Sequence, residues 1–330
     1  MSFSTPIVML VFNRPDLTSR VLNEIARQRP RTLLVCCDGP RQDVASDAAN
    51  VAATRALFDK IDWPCELLTQ FNDENLGCQY GVAGGLNWAF QHVERAVILE
   101  DDCLPHSTFF NYCQSLLDQY EDDQRIMAIS GDNFQEAQQR TPYSYYFSKY
   151  MHCWGWATWR RAWEKMDLNL DAWPAFRDSG GVETIADSPA EAWYWRQIFE
   201  RQQRAEIDSW AFSYQFTCWL EHGLTILPEK NLISNIGFGE RSTHTANPDH
   251  HHANLPTFPI GELRHPPRVH RHREADKFTF PRYYFRDKLT RKLRRAARRL
   301  WANYFDRPVS PGLASAVPQP DNSTQPRRAA

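Results

Sequence analysis

The sequence predicts an α/β protein built on a mostly parallel sheet with helices on both faces. Three observations carry that expectation. Apolar runs and helix-like segments alternate five times between Pro6 and Gly131. The runs are continuously apolar, the mark of strands covered on both sides. Each closes on turn or acidic residues, and such sheets bind ligands beyond the carboxyl ends of their strands.

The elements follow in order. "PIVMLVFNRPD" is a strand ending in Asn13, Arg14, Pro15 and Asp16, after which Leu17, Val21, Leu22 and Ile25 share one helical face. "TLLVCCDGP" repeats the unit, with Asp38-Gly39-Pro40 at the strand end and a helical stretch to Lys60. "CELLTQF" is the third strand, and Gln79 to Val93 is a helix whose glycines suit close packing. "AVILE" is the fourth strand, Ser107 to Tyr120 a helix and "RIMAISG" the fifth strand. Beyond residue 140 the alternation stops. Residues 190–203 and 210–221 read as helices, and 245–273 as irregular. "LTILPEKNLISNIGFG" reads as a short strand, a turn, an apolar run and a glycine-rich loop.

With 42% hydrophobic and 13% aromatic residues, the chain can fill a large core and is not a disordered protein. The eight cysteines form no C-x-x-C pair and read as buried thiols of a reducing compartment. No charged leader and no membrane-length apolar run stand out, so a cytoplasmic protein, soluble or peripheral on the inner membrane face, is expected. The net charge of −2 hides an asymmetry: Arg286 to Trp301 holds eight Lys/Arg and one Asp, leaving an acidic body.

Glu100, Asp101 and Asp102 follow the fourth strand without a gap. One carboxylate there could be solvated or could favour the next helix. Three in succession need a compensating partner, and Mn2+ or Mg2+ with a nucleotide's phosphates supplies one. "HCWGWATWRRAW" adds rings that suit the apolar faces of sugars. Trp156, Trp159 and Trp163 also fall at helical spacing. This divides the segment into Trp154, Gly155 and Trp156 at a site edge, with Gly155 admitting a ligand close to the backbone, and Trp159 and Trp163 in the core.

"VILEDDCLPHSTFFNYC" resembles the acidic motif of nucleotide-sugar glycosyltransferases with the GT-A fold. It is similar to the "EDD" segment of the N-acetylglucosaminyltransferase I family. "DG" after strand two, "WGWATW" and "NLISNIGFGERSTHT" extend the likeness over about residues 5–245. The resemblance implies a GT-A-like α/β fold and a metal, Mn2+ or Mg2+, on Asp102. Glu100 and Asp101 would contact ribose, sugar or the metal's waters. Phe12, Asn13 and Arg14 would hold the nucleotide, with Arg14 reaching the diphosphate. Asp38 would accept the N3–H of uracil. An inverting transfer needs a base beside the acceptor hydroxyl. Asp208 in "AEIDSWAFSY" matches that place, with Glu206 as the fallback. Asp208 also reads as the N-cap of the helix after it. His244 in "STHT" would be a metal or diphosphate ligand. His250 to His252 have no defined ligand spacing and read as a solvated loop.

The expected organisation is a nucleotide-sugar-binding half (1–135) and an acceptor and base half (136–250) of the same domain. An irregular segment with a basic amphipathic helix (251–306) and a disordered tail (307–330) follow. Residues 286–305 suit an anionic membrane surface; packing on the body and, last, nucleic acid are the alternatives. The expected function is metal-dependent, inverting transfer of a sugar from a UDP-sugar to a hydroxyl of a glycan or glycolipid. An inactive sugar- or nucleotide-binding scaffold is the alternative. A nucleotidyltransferase is a further one, although "VFNRPD" lacks a glycine-rich phosphate loop.

Overall fold

The computed structural model describes residues 3–239 and 250–285. The first half alternates as expected: β1 (Ile7–Val11), α1 (Pro15–Gln28), β2 (Thr32–Cys37), α2 (Asp47–Arg55), β3 (Glu66–Phe71), α3 (Gly77–His92), β4 (Arg95–Glu100), β5 (Cys103–Pro105), α4 (Phe109–Gln119) and β6 (Ile126–Ser130). There follow β7 (Tyr145–Ser148), β8 (Trp156–Trp159), α5 (Arg160–Trp163), α6 (Trp173–Asp178), α7 (Gly181–Ile185), α8 (Pro189–Gln203), α9 (Trp210–Leu220), β9 (Leu224–Pro228), β10 (Ile233–Asn235) and α10 (Arg273–Thr279). Residues up to Phe285 form one compact unit.

Eight strands make one sheet in the order β3-β2-β1-β4-β8-β6-β9-β7. Six run one way; β8 and the edge strand β7 are reversed. From β1 the chain builds outward to β2 and β3, then returns to place β4 on the other side of β1. This reversal opens a crevice at the carboxyl ends of β1, β2 and β4. A small antiparallel pair, β5 and β10, stands beside that crevice.

The continuous apolar runs are explained by the two faces. Ile7, Met9, Val11, Leu33, Val35 and Leu99 pack under α1, α2 and α4. Val8, Leu10, Leu34, Cys36 and Ile98 face α3, α5 and α9. β8 corrects the helical reading of the Trp-rich segment. Its four residues are extended, so Trp159 enters the first layer and Trp156 the second, and only Arg160–Trp163 is helical. A third, all-helical core gathers Trp173, Trp195, Phe199, Phe216 and Trp219.

Residues 250–272 are largely irregular, as expected, before α10 returns to the body. Buried Asp276 accepts from Ser148 Oγ at 2.5 Å and pairs with Arg271, which also pairs with Asp187. Lys149 joins Asp187 and Glu191, so two cations and three carboxylates fasten this return. No described helix is long and apolar enough to cross a membrane. His244, the basic stretch 286–305 and the tail 307–330 lie outside the described residues.

His152 is fully buried among the rings of Phe134, Tyr150, Tyr283 and Tyr284. Burial holds its pKa down to about 3. The unfolded chain binds a proton there below about 6.5, and the folded chain refuses it. Stability from this site is therefore present above pH 6.5 and is lost as pH falls toward 3, by up to about 1.4 kcal/mol per pH unit. Urea midpoints at pH 7, 5 and 4 should fall less steeply in His152→Leu than in the parent chain. Parallel slopes would exclude His152 as an acid-labile point.

Candidate active site

A cavity of about 350 Å3 lies at the carboxyl ends of β1, β2 and β4. Phe12 and Arg14 enter it from β1, Asp38 from β2 and the acidic triplet from β4. Trp154 and Asp208 complete it from the second half. Eight of the residues singled out in the sequence thus line one space. Asn13 does not: its Nδ2 donates to Asp47 Oδ1 at 2.7 Å.

The triplet's balancing partner is visible in the chain itself. Arg14 starts α1 and turns its guanidinium onto the triplet. Nε and Nη2 contact Asp101, and Nη1 lies 2.9 Å from Asp102 Oδ2. The fork expected to hold a diphosphate is thus committed to carboxylates. Burial, then the charges of Asp102 and Asp101, push Glu100 up to about 8. Burial raises Asp101 to about 6, against the pull of Arg14. One guanidinium thus spans two of the three acids, and Glu100 beside them is pushed up.

Asp102 is the acid best placed for a metal. Its Oδ2 meets Arg14, whereas among the described residues Oδ1 receives only the Cys103 thiol at 3.5 Å. One hard oxygen facing a cavity fits Mg2+ or Mn2+, which take few protein ligands and complete their shell with water and phosphate oxygens. The acid is held from behind: Ile236 N–H donates to its carbonyl at 2.9 Å. A Cβ at Gly237 would overlap its carboxylate, so only glycine fits there.

Asp38 departs from the expected role. Its Oδ1 accepts from the N–H groups of Gly39 and Leu76 and from Asn72 Nδ2. Its Oδ2 accepts from Leu76 N–H, Gly77 N–H and Asn75 Nδ2. A carboxylate has about four acceptor sites, so none is left over for a uracil N–H. Asp38 instead organises the 72–77 wall and the entrance of α3.

Asp208 holds the next two amides of that helix. Oδ2 accepts from Cys78 N–H at 3.0 Å and Oδ1 from Gln79 N–H at 2.7 Å. It therefore caps α3 and not the helix after it, whose N-cap is Ser209. The two carboxylates divide the free amides at the positive end of α3, and both face the cavity. Glu206 lies off the cavity and pairs with Arg201 and Arg204.

Trp154 forms a wall. Its backbone N–H donates to Oδ2 of the buried Asp132 at 3.0 Å, and its ring meets Phe134 and Phe238 edge-on. Trp156 is not at the edge: it is fully buried and stacked on Trp210 at 5.3 Å. Gly155 serves packing and not a ligand. With φ at +63°, its missing Cβ makes room for Ile233 and Leu99. Nor are His250 to His252 a solvated loop, since His252 is buried and the three rings adjoin.

Sequence reading missed Arg41, Asn72, Asn75 and Asn235, all of which line the cavity. Arg41 follows "CDGP" in the same strand-end loop, a signal that was available. Its Nε and Nη2 bind Asp47, and its guanidinium lies over Phe12, 5.4 Å from the ring centre.

A model of the GNT-I family matches residues 2–179, more than half of the chain. No curated protein matches. Among solved structures, Staphylococcus aureus TarS 1–349 aligns at 9% identity and TM-score 0.38, over 70% of this chain and 59% of that one. HddC from Yersinia pseudotuberculosis aligns at 9% identity and TM-score 0.31, over 52% and 86%. A UDP-glucose pyrophosphorylase complexed with UDP-glucose aligns at 8% identity and TM-score 0.33, over 68% and 90%.

Proposed function

The chain belongs to the GNT-I family, and on that premise we propose that it is a metal-dependent, inverting glycosyltransferase. It would move a sugar from a nucleoside-diphosphate sugar to a hydroxyl of a glycan or glycolipid; with Asp38 saturated, the base is left to the nucleotide panel below. One observation supports this above all: Asp102 and Asp208, from opposite halves of the chain, line the same cavity at the reversal of the strand order.

In this reading Asp102 would hold a divalent cation, whose positive charge would favour the departing diphosphate. The chain's own residues do the rest. Trp154 offers a flat wall to the sugar. Asp208 receives the proton of the acceptor hydroxyl as its oxygen bonds to the anomeric carbon, and the nucleoside diphosphate leaves from the opposite side. Arg14 fixes Asp101 and Asp102 so that the triplet is organised before the donor arrives. The basic stretch 286–305 suits an anionic membrane surface, where a glycolipid acceptor would be presented.

The test is a thermal-shift panel of UDP-, GDP- and ADP-sugars, each with and without Mn2+. A ligand at a hundredfold its dissociation constant stabilises by about 2.7 kcal/mol. One nucleotide family should therefore give a clear, Mn2+-dependent rise in melting temperature. A folded protein that shifts with none of them would overturn the reading. Pyrophosphate release from a nucleoside triphosphate and a sugar phosphate would mark a nucleotidyltransferase instead.

A further inference from the structure

Consecutive side chains normally diverge. At His250, His251 and His252 a turn over residues 251–254 overrides that tendency. Each ring offers a nitrogen, and the three lie within 4.8 Å of one another. The ring centres are 4.4 Å apart for the first pair, 3.9 Å for the second and 5.3 Å for the outer pair.

The arrangement is anchored. Ala253 N–H donates to the His250 carbonyl at 2.8 Å, and Asn254 N–H to the Asn235 carbonyl at 3.0 Å. His252 is buried against Phe134 and Tyr283, each at 4.8 Å, and His250 stacks on Phe238 at 5.2 Å. His252 backbone N–H donates to His250 Nδ1 at 3.3 Å, a long bond that a metal on that nitrogen would replace.

We propose that His250, His251 and His252 bind one borderline divalent cation of the Zn2+ type, at a site separate from the acidic triplet. Imidazole nitrogens suit Zn2+ and its neighbours at about 2.0–2.1 Å, whereas Mg2+ and Mn2+ favour the oxygens of Asp102. The two donor sets therefore sort metals by chemistry. None of the three histidines lines the cavity, which makes the ion an anchor and not a participant in transfer. Its place follows from Trp154, whose ring meets both Phe238 and His252. The ion would clamp the 250–254 turn against the wall of the cavity. This assignment stands whether or not the protein is a transferase.

The test uses the intact, metal-stripped chain. Zn2+ is titrated by calorimetry and Co2+ by visible absorption, in the parent, Asp102→Asn, His251→Ala and a His250→Ala/His251→Ala double variant. His251 is exposed, so its removal leaves the core untouched. One equivalent of Zn2+ should bind in the parent and in Asp102→Asn, with Co2+ giving the intense bands of nitrogen coordination. Affinity should fall at least about tenfold in His251→Ala and further in the double variant. The proposal is overturned if affinity is unchanged in the double variant, since other histidines would then hold the ion. It is equally overturned if the parent binds no stoichiometric Zn2+, or if Asp102→Asn abolishes binding.

Discussion

Asp102→Asn should leave the protein folded and remove the Mn2+-dependent part of its response to nucleotide sugars. The substitution keeps the shape of the side chain and deletes its charge. Arg14 retains Asp101 through two of its nitrogens, so the guanidinium is not stranded. The backbone bond from Ile236 N–H to the carbonyl of residue 102 does not depend on the side chain. What disappears is the charge on an acid whose Oδ1, among the described residues, meets only the Cys103 thiol. Lewis-acid assistance to a departing diphosphate contributes several kcal/mol, and about 4 kcal/mol corresponds to a rate loss on the order of a thousandfold. The measurements are kcat/KM for transfer and the thermal shift with and without Mn2+. A variant that keeps both within tenfold of the parent would remove the metal from Asp102.

The parts of this molecule that could be read in advance are those set by neighbours in sequence. β1 to β4 announce themselves because each is an apolar run closed by polar turn residues. The sheet reversal at β1 then brings their ends together, which is why Phe12, Arg14, Asp38 and the triplet meet. What escaped reading depends on distant partners. The spacing of Trp156, Trp159 and Trp163 fits a helix as well as a strand followed by a helical turn. Only the slot between β4 and β6 decides for the strand. Gly155 looks like room for a ligand until Ile233 arrives from β10 to fill it. Asp38 looks like a free strand-end acid until the 72–77 segment folds over it. Arg14 looks like a phosphate ligand because nothing local tells it that Asp101 and Asp102, far along the chain, will be nearer.

Asp208→Asn carries the second large effect, and its analysis must separate two roles. The carboxylate binds two backbone amides of α3 from 130 and 129 positions away. An amide side chain has one acceptor oxygen, so one of those N–H groups loses its partner, at a cost of about 1–3 kcal/mol. A purely structural residue would show that loss of stability, with transfer falling only as the fold weakens. A general base predicts more: kcat should fall by about 10^2 to 10^4, while the donor's Mn2+-dependent thermal shift persists. Ser209→Ala is the control, because Ser209 sits at the α9 N-cap without a side-chain cap bond, so the change should affect neither readout. If Asp208→Asn lowers stability but transfers at a rate within tenfold of the parent, the proton goes elsewhere and Asp208 is a cap alone. If the rate collapses while donor binding holds, the carboxylate that pins the start of α3 is also the group that takes the acceptor's proton. The amides that hold it then also fix its position in the cavity.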